Sequence, residues 1–336
     1  MSNVTIRFAL KEDAPLLSRF IAEHWSLSHI FAKHEDILLT CHDVGLEHLT
    51  YAMAQNDAGN IVGLCGYIPS NQNVKPHIWI ALWKVLKTDV PALGLRLLDF
   101  VRRQSNCSFM ACCGINTTVM KLYQRLGYIT GTLEHYYKLG TCTDYRIAVI
   151  GEKPTVSTTT VEDVAKFVRF RSYSDLSKRF DSQKYTGRKP YKDTWYLNWR
   201  YFNHFKYEYL IYGIDKGGNE IDSLLVGREI SCNSATVFRV VDFIGLDNDL
   251  RRTSSAFEWL IKDGKYEYID FYQYGISEEV MNAAGFTRRG ENDPNIIPNY
   301  FEPFEQKNVD IHFFYEKCED FHIYKADGDQ DRPNRV

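Results

Sequence analysis

One order of elements occurs twice in this chain, and it constrains the fold more than any other feature. Ile78–Leu86 is a nearly continuous apolar run. It is followed by a helical stripe (Leu93, Leu97, Leu98, Val101), a second apolar run (Phe109–Ile115), and a helix carrying Val119, Leu122, Tyr123 and Leu126 that stops at Gly127-Tyr128. About 150 residues later the order returns as Ala235–Ile244, Ser254–Lys262, Tyr268–Tyr272 and a short helix ending Ala284-Gly285-Phe286. Short runs without polar alternation fit strands covered on both faces. A glycine just past a helix takes the left-handed conformation at no steric cost. The repeat predicts an α/β (α+β) chain of two similar domains, each a mixed twisted sheet flanked by helices.

Around these cores the sequence predicts a strand Val4–Ala9, then a helix with Leu17, Phe20, Ile21 and Trp25 on one face. A hairpin follows, Tyr51–Gln55 with Ile61–Ile68 about the Asx/Gly turn Asn56–Asn60, and a strand pair Tyr128–Leu133 and Tyr136–Leu139 closes the half. A Thr/Gly/Pro-bearing connection with a strand-like piece, Tyr145–Ile150, leads to a helix over Val161, Val164, Ala165 and Val168 and to strands around Tyr207–Ile214 and Ile221–Ile230. The expected divisions are 1–140, a connection 141–160, 161–325 and a polar tail 326–336. Asp327-Gly328-Asp329-Gln330-Asp331 has calcium-loop spacing, but position 6 is Arg332 where that loop requires glycine.

Composition narrows the function. The chain has 336 residues, 44% hydrophobic and 25% charged, a mix that excludes disorder. Forty Lys and Arg against 43 Asp and Glu give a net charge of −3, which argues against a general nucleic-acid binder that works by phosphate neutralisation. No apolar run approaches the ~18 residues of a membrane span, and the N-terminus lacks a signal-peptide pattern, so a cytoplasmic protein is expected. The eight cysteines show no zinc spacing. Reduced core thiols and no metal are expected.

Five stretches suggest chemistry. Asp89-Val90-Pro91-Ala92-Leu93-Gly94 opens a helix after the central strand, where backbone N–H groups can hold a phosphate. Asn116–Tyr128 carries Tyr123, a phenol able to give a proton to a thiolate. Trp25–His34 is a loop with His29 available for proton transfer or hydrogen bonding. Trp195–Tyr209 holds eight aromatics in fifteen residues together with Arg200 and His204. Upstream of it, Phe167–Lys192 holds eight Lys/Arg against two Asp, a candidate diphosphate surface. Helix-face packing for Tyr123, core packing for the aromatics and a solvated face for the charges are the plainer alternatives.

Residues 4–139 resemble the GCN5-related N-acetyltransferase (GNAT) superfamily. Asn116 to Tyr128 matches its N-x₆-Y-x₃-G-[FY] helix, and Gly94 with Leu97 and Leu98 fits the helix after its pyrophosphate loop, although Asp89 and Ala92 depart from the Q/R-x-x-G-x-G/A pattern. The second half resembles the same superfamily more weakly, at Met281–Phe286. The Trp25-x₃-His29-Ile30 start and the stretches Ile297–Phe304 and Asn308–Ile311 look like tandem GNAT proteins of surface-polysaccharide (lipopolysaccharide or capsule) biosynthesis. The resemblance implies an N-acyltransferase moving an acyl group from acyl-CoA to the amine of a nucleotide-linked (dTDP) deoxyamino sugar. By the same resemblance Trp83, Val85, Ala92, Leu93, Gly94, Asn116 and Tyr123 contact coenzyme A, and Tyr123 and His29 are catalytic. Trp25, His29, Arg200, Tyr201 and His204 then hold the small-molecule acceptor. The alternatives are a degenerate, non-catalytic tandem GNAT and a Fem-type aminoacyl transferase.

Overall fold

The computed structural model describes residues 3–154 and 165–333. In chain order the first part contains β1 (Val4–Phe8), α1 (Ala14–His24), α2 (Ile30–Lys33), α3 (Glu35–His42), β2 (Tyr51–Asn56), β3 (Ile61–Pro69), β4 (His77–Val85), α4 (Leu93–Gln104), β5 (Phe109–Ile115), α5 (Thr117–Arg125), β6 (Ile129–Thr132) and β7 (Glu134–Leu139). The remainder contains β8 (Lys166–Phe170), α6 (Tyr173–Leu176), α7 (Thr194–Leu197), β9 (Leu210–Asp215), β10 (Leu224–Cys232), β11 (Ala235–Ile244), α8 (Asp247–Leu250), α9 (Ser254–Gly264), β12 (Tyr268–Tyr274), α10 (Glu278–Ala283), β13 (Thr287–Arg288), a small hairpin of β14 (Tyr300–Phe301) and β15 (Phe304–Glu305), β16 (His312–Tyr315) and β17 (Ile323–Tyr324).

Two seven-strand paths result, β1-β2-β3-β4-β5-β16-β6 and β8-β9-β10-β11-β12-β7-β13, the second with β17 added on β12. They correspond strand for strand, and in each the fourth and fifth strands run parallel. The duplicated mixed α/β architecture read from the sequence is therefore present. Gly127 (φ 88°) and Gly285 (φ 87°) end α5 and α10 at equivalent places, each followed by an aromatic residue.

The sixth strands are exchanged. β7 lies in the second sheet between β12 and β13, and β16 lies in the first between β5 and β6. The expected pair Tyr128–Leu133 with Tyr136–Leu139 does not form. Only Leu133 separates β6 from β7, too little for a hairpin turn, and its amide donates instead to the Ile311 carbonyl at 2.8 Å.

Three other expectations need correction. Val161 and Val164 lie outside the described residues, and Val168 sits in strand β8, opposite Gly213, where a helix was predicted. Tyr145–Ile150 forms no strand beyond a single bridge from Val149 to Ile296; the amides of Arg146, Ile147 and Ala148 are held by the Glu267 carboxylate. The supposed polar tail is buried, with Ala326 and Asp327 at 0% exposure and Asp331 at 1%.

Helices α1–α3 cover one face of the first sheet (Tyr51, Met53, Leu64, Leu82). Helices α4 and α5 cover the other, against Cys65, Ile78, Ile80, Met110 and Cys112. The apolar stripe of α4, Leu93, Leu97, Leu98 and Val101, is the buried one.

Candidate active site

The parallel ladder between β4 and β5 runs only from His77–Phe109 to Ile80–Cys112, and beyond it the strands part. On the other side of β4 the register slips between Tyr67–Ile80 and Cys65–Trp83. β4 spends three residues against two, a bulge that bends the strand at the gap. The Leu86 amide donates to Val62 at 2.9 Å. Antiparallel alternation then turns the backbone N–H and C=O groups of Trp83 and Val85 away from β3, into the gap.

The start of α4 borders this gap. A Cβ on Gly94 would stand 3.4 Å from the Trp83 ring and 3.6 Å from Val85. Ala92 precedes the helix at φ 52° and no side chain caps it, so the first amides of α4, among them those of Leu93 and Gly94, are open donors. Asp89 is exposed. Trp83, Val85, Ala92, Leu93 and Gly94 are thus brought together.

Tyr123 lies on the α5 side of the gap. It is 5% exposed, with its ring centroid 4.2 Å from Phe314 of the exchanged β16 and 6.1 Å from Trp83. Burial, reinforced by Cys112 and Cys65, pushes the phenol pKa up, so it stays protonated at neutral pH. Its hydroxyl makes no hydrogen bond among the described residues. Asn116 is the N-cap of α5, its Oδ1 accepting from the Thr118 amide at 2.9 Å.

The equivalent gap in the second sheet is filled. β11 and β12 pair only from Phe238–Ile269 to Val240–Phe271. Beyond that point β17 enters, pairing Tyr324 and Ile323 with Gln273 and Tyr274, and the Ala326 amide donates to Val241 of β11 at 2.8 Å. Asp247 and Asp249 of α8, the short helix ahead of α9, are paired with Arg188 and Lys216. Only the first sheet offers an open gap beside an uncapped helix start among the described residues.

From there the chain continues along the polar seam between the halves. Lys192 bridges Asp242 (2.6 Å) and Asp327 (2.7 Å). Arg228 donates from Nε and Nη2 to the Asp331 carboxylate at 3.1 and 2.8 Å, and the Tyr209 hydroxyl donates to it at 2.8 Å. Gln330 then reaches β5, its Nε2 3.3 Å from the Cys113 carbonyl.

Three of the predicted substrate contacts, Arg200, Tyr201 and His204, lie along this seam with partners inside the chain. Arg200 is 7% exposed, and its Nη2 donates to the carbonyls of Asp331 (2.8 Å) and Ala326 (3.4 Å); it anchors the C-terminal segment. Tyr201 is buried with its hydroxyl on Asp242. His204 Nδ1 accepts from the Tyr207 amide at 2.9 Å, and burial lowers its pKa to about 3, making it a neutral turn-former. The aromatic stretch is largely core, with Tyr196, Tyr201 and Tyr209 buried. Six of the eight cations in Phe167–Lys192 are ion-paired and Lys189 bonds His77, which leaves little free charge for a diphosphate.

Trp25 is 49% exposed at the end of α1. His29 caps α2, its Nδ1 accepting from the Phe31 amide at 3.2 Å. Burial first, then Arg332 and His42, lower its pKa to about 3. With Nδ1 accepting from Phe31, the neutral ring carries its proton on Nε2 and can donate a hydrogen bond from there. The sequence reading missed the C-terminal segment here. Its alternation of small, acidic and basic residues looks solvent-exposed, and only the second half's need to fill its gap distinguishes it.

No family model matches this sequence, and no curated protein does. Solved structures do. A GCN5-related N-acetyltransferase from Anabaena variabilis aligns with TM-score 0.55 and 10% identity over 93% of this chain and 72% of that one. A GCN5-related glucosamine N-acetyltransferase region of a fungal multidomain β-N-acetylglucosaminidase aligns with TM-score 0.50 and 9% identity, over 94% of this chain and 38% of that one. The protein has the fold of GCN5-related N-acetyltransferases.

Proposed function

We propose that the protein is an acyl-CoA-dependent N-acyltransferase whose coenzyme A site is the gap between β4 and β5. The observation that carries this reading is the asymmetry of the two gaps: the first combines open strand backbone at Trp83 and Val85, an uncapped helix start at Ala92–Gly94 and a protonated Tyr123, while the second is occupied by β17. The pyrophosphate would lie on the first amides of α4, favoured by the helix dipole. The pantetheine arm would pair with the free edge of β4, and the thioester carbonyl would accept from a strand amide. The acceptor's ammonium first gives a proton to solvent, the free amine attacks the carbonyl carbon, the C–S bond breaks as Tyr123 protonates the departing thiolate, and the proton shed by the new amide nitrogen restores the phenol. Proximity within such a gap contributes up to ~7–11 kcal/mol of barrier lowering, so a strong base is not required.

The acceptor we propose is the amine of a nucleotide-linked deoxyamino sugar, supported by the resemblance of the Trp25–Ile30 start to tandem polysaccharide-gene proteins. Its diphosphate is not assigned to Phe167–Lys192, whose charges are internally paired. Isothermal titration with acetyl-CoA tests the first statement, and absence of binding at millimolar concentration ends it. Thiol release over a panel of amino-sugar nucleotides tests the second and separates an enzyme from a non-catalytic binder. Activity insensitive to RNase excludes transfer from a charged tRNA.

A further inference from the structure

Four buried polar atoms have no hydrogen-bond partner among the described residues and belong to one neighbourhood on the α1–α3 face of the first sheet: His29 Nε2, His42 Nε2, the Tyr51 hydroxyl and Arg332 Nε. The rings are contiguous, with centroids 5.0 Å apart for His29–Phe31, 5.4 Å for Phe31–His42 and 4.2 Å for His42–Tyr51. Arg332 stands close enough to depress both imidazoles further. Buried polar atoms are nearly always paired, so four orphans together call for partners that the chain itself does not supply, ordered water or a ligand. Two of them are obligate donors: Arg332 Nε–H, and His29 Nε2–H because Nδ1 already accepts from Phe31.

The same C-terminal segment brings a carboxylate. Asp329 is ion-paired with Arg332, and the two side chains keep 13% and 22% exposure, so solvent reaches the pair. The segment crosses the sheet where the gap opens: a Cβ on Gly328 would stand 3.5 Å from Trp79, and Gln330 holds the Cys113 carbonyl. Trp79 and Cys113 face away from Tyr123, which belongs to the opposite, α4–α5 face with Ile80 and Cys112. A thioester lying in the gap would thus have the phenol on one side and Asp329 on the other.

We infer that residues 328–332 complete the acceptor subsite, with Asp329 receiving the acceptor's ammonium group while His29, Tyr51 and Arg332 donate to an oxygen adjacent to it. The acceptor class is a primary amine bearing a hydroxyl or carboxylate oxygen near the nitrogen, whether amino sugar or amino acid. This deepens the acyltransferase reading and rests on it. The Thr50 hydroxyl donates to the His42 carbonyl and accepts from His42 Nδ1 at 2.8 Å, which leaves His42 Nε2 as an acceptor for a hydroxyl of the same group.

The test is calorimetric titration of the full chain, preloaded with coenzyme A, with D-glucosamine, L-serine, methylamine and D-glucose. Glucosamine or serine is expected to bind in the millimolar range and at least tenfold more tightly than methylamine or glucose; which of the two wins tells the sugar from the amino-acid source. Asp329→Asn should weaken that binding at least tenfold with coenzyme A affinity unchanged within twofold. Tyr51→Phe should weaken the oxygen-bearing amines and leave methylamine unchanged. Equal affinity for glucosamine and glucose, wild-type affinity in Asp329→Asn, or no amine binding by protein that binds coenzyme A would each overturn the inference. Should Asp329→Asn not fold, Tyr51→Phe and His29→Gln decide it by the same comparison. Amine binding by protein that does not bind coenzyme A would refute the acyltransferase reading and leave the subsite standing.

Discussion

Removing the Asp331 carboxylate should release the C-terminal segment from the seam between the halves. Asp331 is 1% exposed, accepts from Arg228 Nε and Nη2 and from Tyr209, and its backbone carbonyl holds Arg200. Arg228 keeps only 13% side-chain exposure. Asp331→Ala therefore leaves a desolvated guanidinium without its counter-ion, a change that costs about 3–5 kcal/mol in buried pairs. For a chain of this length the unfolding entropy is about 0.7 kcal/mol per kelvin, so the melting temperature should drop by about 4–7 °C if unfolding is cooperative. Arg228→Met in the Asp331→Ala background should recover part of the loss, because it removes the stranded charge. The pH dependence has a definite sign. Arg228 and Arg200 hold the Asp331 carboxyl below its ordinary value, so its contribution is fully present above about pH 4 and is lost only below that. The difference between wild type and Asp331→Ala should be constant from pH 5 to 8. Scanning calorimetry of the three proteins measures it. A drop below 1 °C, or a double variant less stable than Asp331→Ala, would refute the reasoning that this ion pair clamps the segment.

Other perturbations probe the first-sheet gap and the protonation balance. Tyr123→Phe keeps the ring against Phe314 and should leave stability unchanged while lowering kcat by roughly 10- to 10³-fold; an unchanged kcat with chemistry rate-limiting returns Tyr123 to the core. Ala92→Gly relieves an alanine held at φ 52° and should stabilise by roughly 1 kcal/mol, read as a rise of 1–2 °C in melting temperature by the same entropy scale; a fall would mean that the alanine methyl packs favourably. Four buried histidines and the half-buried His204 have lowered pKa values, about 3 for His29, His42 and His204 and about 4 for His77 and His135, each from burial first. They stay neutral in the fold while the unfolded chain takes up protons below about pH 6.5, so stability should decline as pH falls from 6.5 towards 4, by up to ~1.4 kcal/mol per pH unit for each. Urea midpoints equal at pH 7.5 and pH 5.0 would contradict this.

The repeat was legible because its signals are local. Apolar runs such as Ile78–Leu82 and Phe109–Cys113, and glycines at Gly127 and Gly285 where a helix must stop, each follow from one strand or one helix end. What was not legible depends on partners distant in sequence. Nothing near Glu134–Leu139 says that it pairs with Tyr268–Gln273 when Ile129–Thr132 is its neighbour in the chain. The same holds for charge. Phe167–Lys192 reads as a cationic patch because its carboxylates arrive from Glu208, Asp215, Asp222, Asp242 and Asp327, all beyond the window that the motif occupies.

The C-terminal segment shows why the site was harder to see than the fold. In a duplicated fold each half has a gap where its two parallel strands diverge, and the unsatisfied backbone there must find a partner or a ligand. The second half meets that demand with its own chain at Ile323–Ala326, and the residues that follow are carried across the seam to β5 of the first half, where Gly328 meets Trp79 and Gln330 meets Cys113. Filling one gap is thus mechanically tied to furnishing the other: the strand that closes the second site delivers Asp329 and Arg332 to the first. On the proposed assignment of coenzyme A to the first gap, the second half then has a physical reason to be there, because without β17 to fix its origin the segment would lack the register that carries those two side chains to the first half.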